Sequence, residues 1–241
     1  MRLRYKRFIN ALLRNKHINR LLNIHDNLNL AALDHIKPSK KGRLFDYVVI
    51  DLETTGLDPQ TDSIIWFGAF RIKGGNILLG DHFNELAKPS TDIKPSSMRY
   101  HGIVPEMVST ARAVGDVFDD FIQYIGTDII IAHYARFDMA FLNRLMKKRY
   151  NLTIQNLVLD TFLLSKEILF PPHIYPFGIN LNLKQLSLHE MAKHYGVDDI
   201  YYRHTAIGDA LAAGLIFQRI LSKIEQEGRG SLKTLINVGA I

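Results

Sequence analysis

Residues 47–59 read "YVVIDLETTGLDP", and the run Val48, Val49, Ile50 ends in two acids, Asp51 and Glu53. Side chains two apart on a strand point to the same face. Two carboxylates side by side repel each other, and burying them unpaired costs several kcal/mol. A solvated strand end ahead of the turn "GLDP" is the plain alternative. The chemical reading is a divalent-cation site, for which paired oxygen ligands suit Mg²⁺ or Mn²⁺.

A cation site needs further ligands, and two other stretches offer them. In "IIIAHYARFDMAFL" (129–142) an apolar strand and a short turn lead to Asp138 at the start of a helix. As a first-turn acid, Asp138 needs no further role. In "RHTAIGDALAAGLIF" (203–217), His204 and Asp209 are five apart, about 140° around an ideal helix. Asp209 is therefore expected in the first turns of a helix and His204 in the loop before it, where it swings to the same site. A lone histidine before a helix is more often structural; the combination carries the weight.

The elements that must position these groups follow from periodicity. Strands are expected at 46–52, 63–72 and 76–88, the last two joined by Gly74-Gly75, as antiparallel neighbours. Then come a helix near 115–125, a strand at 128–133, a helix at 136–149, a strand at 156–160 and a helix at 161–169. A Pro- and aromatic-rich loop (170–182) precedes helices at about 183–195 and 205–225. The expected class is α/β: a mixed sheet of three antiparallel strands and then two parallel ones, flanked by helices.

In this order the motifs resemble the DEDDh family of 3′→5′ exonucleases. "DLETTG" matches its first motif, "AHYARFD" its second and "HTAIGDA" its third, while "HGIVPEMV" (101–108) looks like a segment of relatives of the DNA polymerase III epsilon subunit. The resemblance implies a ribonuclease-H-like fold. It implies that Asp51, Glu53, Asp138 and Asp209 ligate two divalent ions, Mg²⁺ or Mn²⁺, with His204 as general base. It also implies that Thr54 contacts the terminal 3′-OH, that Leu57 wedges against the terminal bases and that Phe137 packs at the terminal nucleotide. For Leu57 and Phe137 the alternative is core packing. The expected activity is metal-dependent 3′→5′ hydrolysis of single-stranded or frayed DNA to nucleoside 5′-monophosphates. The alternatives are an RNA-trimming enzyme of the oligoribonuclease or ribonuclease T type and a non-catalytic nucleic-acid-binding relative; the full set of five residues argues against the latter. The partner is nucleic acid with a free 3′ end. No polymerase-binding tail is evident, so a repair or processing role is expected ahead of replicative proofreading.

Composition bounds the rest. Of 241 residues, 47% are hydrophobic and 22% charged, as in a globular protein, and no apolar run is long enough to span a bilayer. The absence of cysteine excludes disulfides, thiolate metal sites and thiol nucleophiles. Residues 1–43 hold eleven basic and two acidic side chains, a net +9 against +6 for the whole chain, so the remainder is near −3. Tyr5, Phe8, Ile9, Leu12 and Leu13 fall on one helix face there. Three parts are expected: a basic helical extension and linker (1–42), the exonuclease domain (43–228) and a short C-terminal tail (229–241). The arm either holds phosphates outside the cleft or packs on the domain. A cytoplasmic, bacterial-type protein is expected; an Arg-rich, acid-poor start would also suit a mitochondrial presequence, against which its shortage of Ser counts.

Overall fold

A computed structural model of the chain describes residues 39–169, 186–198 and 204–241. The amphipathic arm before residue 39 and the loop 170–182 lie outside the described residues. Five strands form one sheet: β1 (Tyr47–Thr54), β2 (Ile64–Lys73), β3 (Asn76–Leu86), β4 (Ile129–Ala132) and β5 (Val158–Asp160). Their order is β3-β2-β1-β4-β5. β1 runs antiparallel to β2, and β2 to β3, while β4 and β5 run parallel to β1. The expected mixed sheet and its sequence of directions are borne out, in a ribonuclease-H-like arrangement.

Eight α-helices are described. They are α1 (Pro95–His101), α2 (Pro105–Val108), α3 (Val114–Ile125), α4 (Arg136–Tyr150), α5 (Thr161–Leu169), α6 (Leu188–His194), α7 (Ala206–Gln226) and α8 (Leu232–Gly239). Alternation along β1 divides the core in two. Val48, Ile50 and Leu52 pack with Phe118 and Phe121 of α3 and with Met139, Phe141 and Leu142 of α4. Tyr47 and Val49 face the other way, onto Ala210, Ala213 and Phe217 of α7. Val48, Val49 and Ile50 are fully buried, worth about 1.5–3 kcal/mol each, which offsets the cost of the acids that follow.

Three elements go beyond the sequence reading. α1 and α2 are too short to show a periodicity, and each begins on a proline whose fixed φ suits a first helical residue. α8 occupies the region expected as a tail. Ser231 caps it by accepting the Thr234 amide, and Leu232 and Leu235 are buried. After α8, Ala240 bridges Leu159 and the Ile241 amide donates to the Val158 carbonyl at 3.3 Å, covering the outer edge of β5. The segment before β1 joins this end of the chain, with the Gly42 amide on the Gly230 carbonyl (2.7 Å) and the Leu232 amide on the Lys40 carbonyl (3.0 Å). Among the described residues no helix is long and apolar enough to cross a membrane.

Candidate active site

The face of β1 that carries Tyr47 and Val49 continues outward to Asp51 and Glu53. α7 runs over the same face with Asp209, Ala213 and Phe217 four residues apart, one side of a helix. Phe217 meets Tyr47, their ring centroids 5.0 Å apart. Asp209 thereby arrives over the end of β1, and carboxylate oxygens of Asp51, Glu53 and Asp209 lie within 4.8 Å of one another.

The start of α7 is fixed twice. Thr205 caps it by accepting the Gly208 amide at 3.2 Å. Beneath it lies Gly68 of β2, the cross-strand partner of Asp51. A Cβ at Gly68 would stand 2.2 Å from the carbonyl carbon of Ala206, so only glycine lets α7 settle this close. Gly68→Ala should therefore lower stability by about 1–3 kcal/mol, as overpacking does. It should lower turnover further still, because the shift displaces Asp209. Gly80→Ala in β3, with nothing within 4 Å of the added carbon, is the control. Equal melting temperatures and rates for both variants would contradict this role of Gly68.

Asp138 is brought in from the other side of the sheet, in the first turn of α4, with 3% exposure. The turn leading to it is held by an acid that the sequence reading passed over, Asp160 at the end of β5. One Asp160 oxygen accepts the amides of Tyr134 (3.1 Å) and Phe162 (2.8 Å), and the other accepts that of Ala135 (3.2 Å). Tyr134 is held at φ 57°, a region few non-glycine residues enter. The signal was present, since "NLVLD" repeats the pattern of an apolar strand ending in an acid. Neighbouring His133 is buried between the Thr161 hydroxyl and the Leu186 carbonyl, each at 2.9 Å. Burial lowers its pKa to about 4, so it is a neutral, structural histidine.

The electrostatics of the acids are all of one sign. Burial first, then the charges of Asp138, Asp209 and Glu53, hold Asp51 well above the ordinary carboxylate range. Burial, Asp209 and Asp138 push Glu53 up to about 8. Burial, with a contribution from Asp160, takes Asp138 up to about 8 as well. The charged groups that raise these three carboxyls are themselves acids. The cluster concentrates negative charge. Hard oxygen donors in this state fit a divalent cation, which would take the place of the protons they otherwise retain. Asp138 lies outside the close trio, yet it is near enough to raise both Asp51 and Glu53.

The other expected residues border the cluster. His204 precedes the cap of α7 at φ 58°, its ring centroid 4.2 Å from that of Tyr100. Thr54 is buried, its hydroxyl donating to the Gly56 carbonyl at 2.7 Å. Leu57 is 81% exposed, which excludes core packing for it. Phe137 is half-buried against Phe141, with centroids 5.1 Å apart, so core packing accounts for part of its surface. The loop of Thr54 and Leu57 is braced by buried Asp62, which accepts the Asp58 amide (2.9 Å) and Lys94 Nζ (2.7 Å).

Comparison with known proteins adds to this geometry. The sequence model of the RNase_T family, described as exonuclease, matches residues 48–217. A DNA polymerase III PolC-type protein of Thermotoga maritima is 34% identical over 182 residues, covering 76% of this chain and 12% of that protein. A DNA polymerase III subunit epsilon-like protein of Rhodobacter capsulatus is 33% identical over 186 residues, covering 76% of this chain and 24% of that protein. The chain thus spans about an eighth to a quarter of these relatives. Among solved structures, exonuclease X in complex with 5′-overhanging duplex DNA aligns with a TM-score of 0.59 at 22% identity. That alignment covers 80% of this chain and 99% of that one, a likeness of fold.

Proposed function

The chain belongs to the RNase_T exonuclease family, of the DEDDh type, and from that premise we propose that it hydrolyses single-stranded or frayed DNA from the 3′ end, releasing nucleoside 5′-monophosphates. The observation that carries this reading is the meeting of Asp51, Glu53 and Asp209 within 4.8 Å, where the acids raise one another's carboxyls. Asp51, Glu53, Asp138 and Asp209 would hold two Mg²⁺ or Mn²⁺ ions. When bound, the ions supply Lewis-acid stabilisation of charge on the phosphoryl oxygens.

The chain's own residues do the rest. His204, in the neutral form that a base requires, takes the proton of the attacking water. Thr54 contacts the terminal 3′-OH through its backbone and side chain. Leu57, exposed on the adjoining loop, presses against the terminal base, and Phe137 packs at the terminal nucleotide. Asp160 does no chemistry but holds the turn that delivers Asp138. The likeness to bacterial DNA polymerase III proteins supports DNA as the substrate and a cytoplasmic setting.

The test is a side-by-side digestion of 5′-labelled DNA and RNA strands of the same sequence, ending in 3′-OH or 3′-phosphate. The expected pattern is a ladder shortening from the 3′ end, faster on DNA, and blocked or slowed by the 3′-phosphate. Faster trimming of RNA would make the enzyme an exoribonuclease. Internal cuts, or loss of the 5′ label as mononucleotide, would overturn the direction itself.

A further inference from the structure

A general base works only if its accepting nitrogen faces the water, so something must orient the His204 ring. Regular structure does not: His204 lies outside α7, one residue before the Thr205 cap, with its backbone at φ 58°. One described neighbour of its ring is Tyr100, with centroids 4.2 Å apart and planes at 52°. Tyr100 stands in the last turn of α1 and leaves 64% of its surface to solvent, so it is not there to fill the core. Ring pairs of this kind prefer a restricted set of geometries.

α1 is itself fastened to the catalytic strand end. At its start the Lys94 amide donates to the Thr55 carbonyl at 3.0 Å. At its end, His101 Nδ1 accepts the Ile103 amide at 3.0 Å, so its proton is on Nε2, which donates to the Thr54 carbonyl at 3.3 Å. Thr54 follows Glu53 directly. Tyr100 is thus carried on an element tied at both ends to the backbone beside the metal-binding acids.

We propose that Tyr100 is a positioning residue for His204: its ring holds the imidazole in the orientation that receives the water's proton. This rests on the reading of His204 as general base. Losing such a ring pair should cost about three- to tenfold in the fraction of His204 correctly oriented. That loss falls on turnover and leaves substrate binding alone.

The experiment measures kcat and KM on a short 3′-OH single strand for wild type, Tyr100→Ala, Tyr100→Phe, His204→Ala and the Tyr100→Ala/His204→Ala double variant. Melting temperatures are recorded with and without Mn²⁺. Tyr100→Ala should lose about three- to tenfold in kcat with KM and the Mn²⁺-induced shift unchanged, and Tyr100→Phe, which keeps the ring, should restore most of the rate. His204→Ala should lose roughly 10²–10⁴-fold, and adding Tyr100→Ala to it should cost nothing further, because no base remains to be oriented. A rise in KM at constant kcat would make Tyr100 a substrate contact and overturn the proposal, as would a double variant slower than His204→Ala by the full single-variant factor. Wild-type turnover in Tyr100→Ala with His204→Ala impaired would sink the positioning role alone. Wild-type turnover in His204→Ala would sink the base reading, and the proposal with it.

Discussion

Asp51→Asn should abolish hydrolysis and at the same time raise the melting temperature of the metal-free protein. The loss of activity follows from taking a charged oxygen out of the trio with Glu53 and Asp209; removing one electrostatic element of an active site typically costs at least about 10²–10³-fold in rate. The gain in stability follows from the sign of the pKa shifts. Asp51, Glu53 and Asp138 are all raised, by burial first and then by neighbouring acids. Between pH 4 and about 8 the metal-free folded state therefore retains protons that the unfolded chain has released. Stability falls as pH rises across that window. An asparagine keeps the shape, carries no charge and relieves the repulsion. Each kcal/mol so recovered moves the melting temperature by about 2–4 °C in a domain of this size. Calorimetry in chelator at pH 5 and pH 8 checks both points: wild type should melt lower at pH 8, and Asp51→Asn should show a shallower dependence. An Asp51→Asn protein that melts below wild type at pH 8 would contradict the account of the cluster.

The acids themselves were legible because each sits at a junction that sequence marks. Asp51 and Glu53 interrupt an apolar run, and Asp138 and Asp209 fall just inside helix starts. The strand directions were legible from the change between closely joined strands and strands separated by helices. What was hidden lies in contacts between distant segments. Gly68 is an ordinary strand glycine until α7 lands on it from 138 residues away in the chain. Asp160 ends a strand of three residues, too short for alternation to be read, and the Tyr134 and Ala135 amides it holds belong to another turn. Leu57 and Phe137 could each be core or surface from sequence. The fold separates them, leaving Leu57 in solvent and half of Phe137 against Phe141. The tie between His101 and the Thr54 carbonyl crosses 47 residues and leaves no local pattern.

Removal of divalent ions should have an effect as large as that of Asp51→Asn, and reversibly. If Asp51, Glu53, Asp138 and Asp209 are together to hold cations, chelation leaves them mutually repelling and without the charge that stabilises the phosphoryl oxygens. The most direct measurement follows one 5′-labelled single strand with a 3′-OH end, first in excess EDTA and then after Mg²⁺ is added beyond the chelator. The expected record is a flat line in EDTA and a ladder advancing from the 3′ end once Mg²⁺ is supplied. Hydrolysis that proceeds undiminished in EDTA would contradict a cation site at the end of β1, and with it the reading of this chain as a metal-dependent exonuclease.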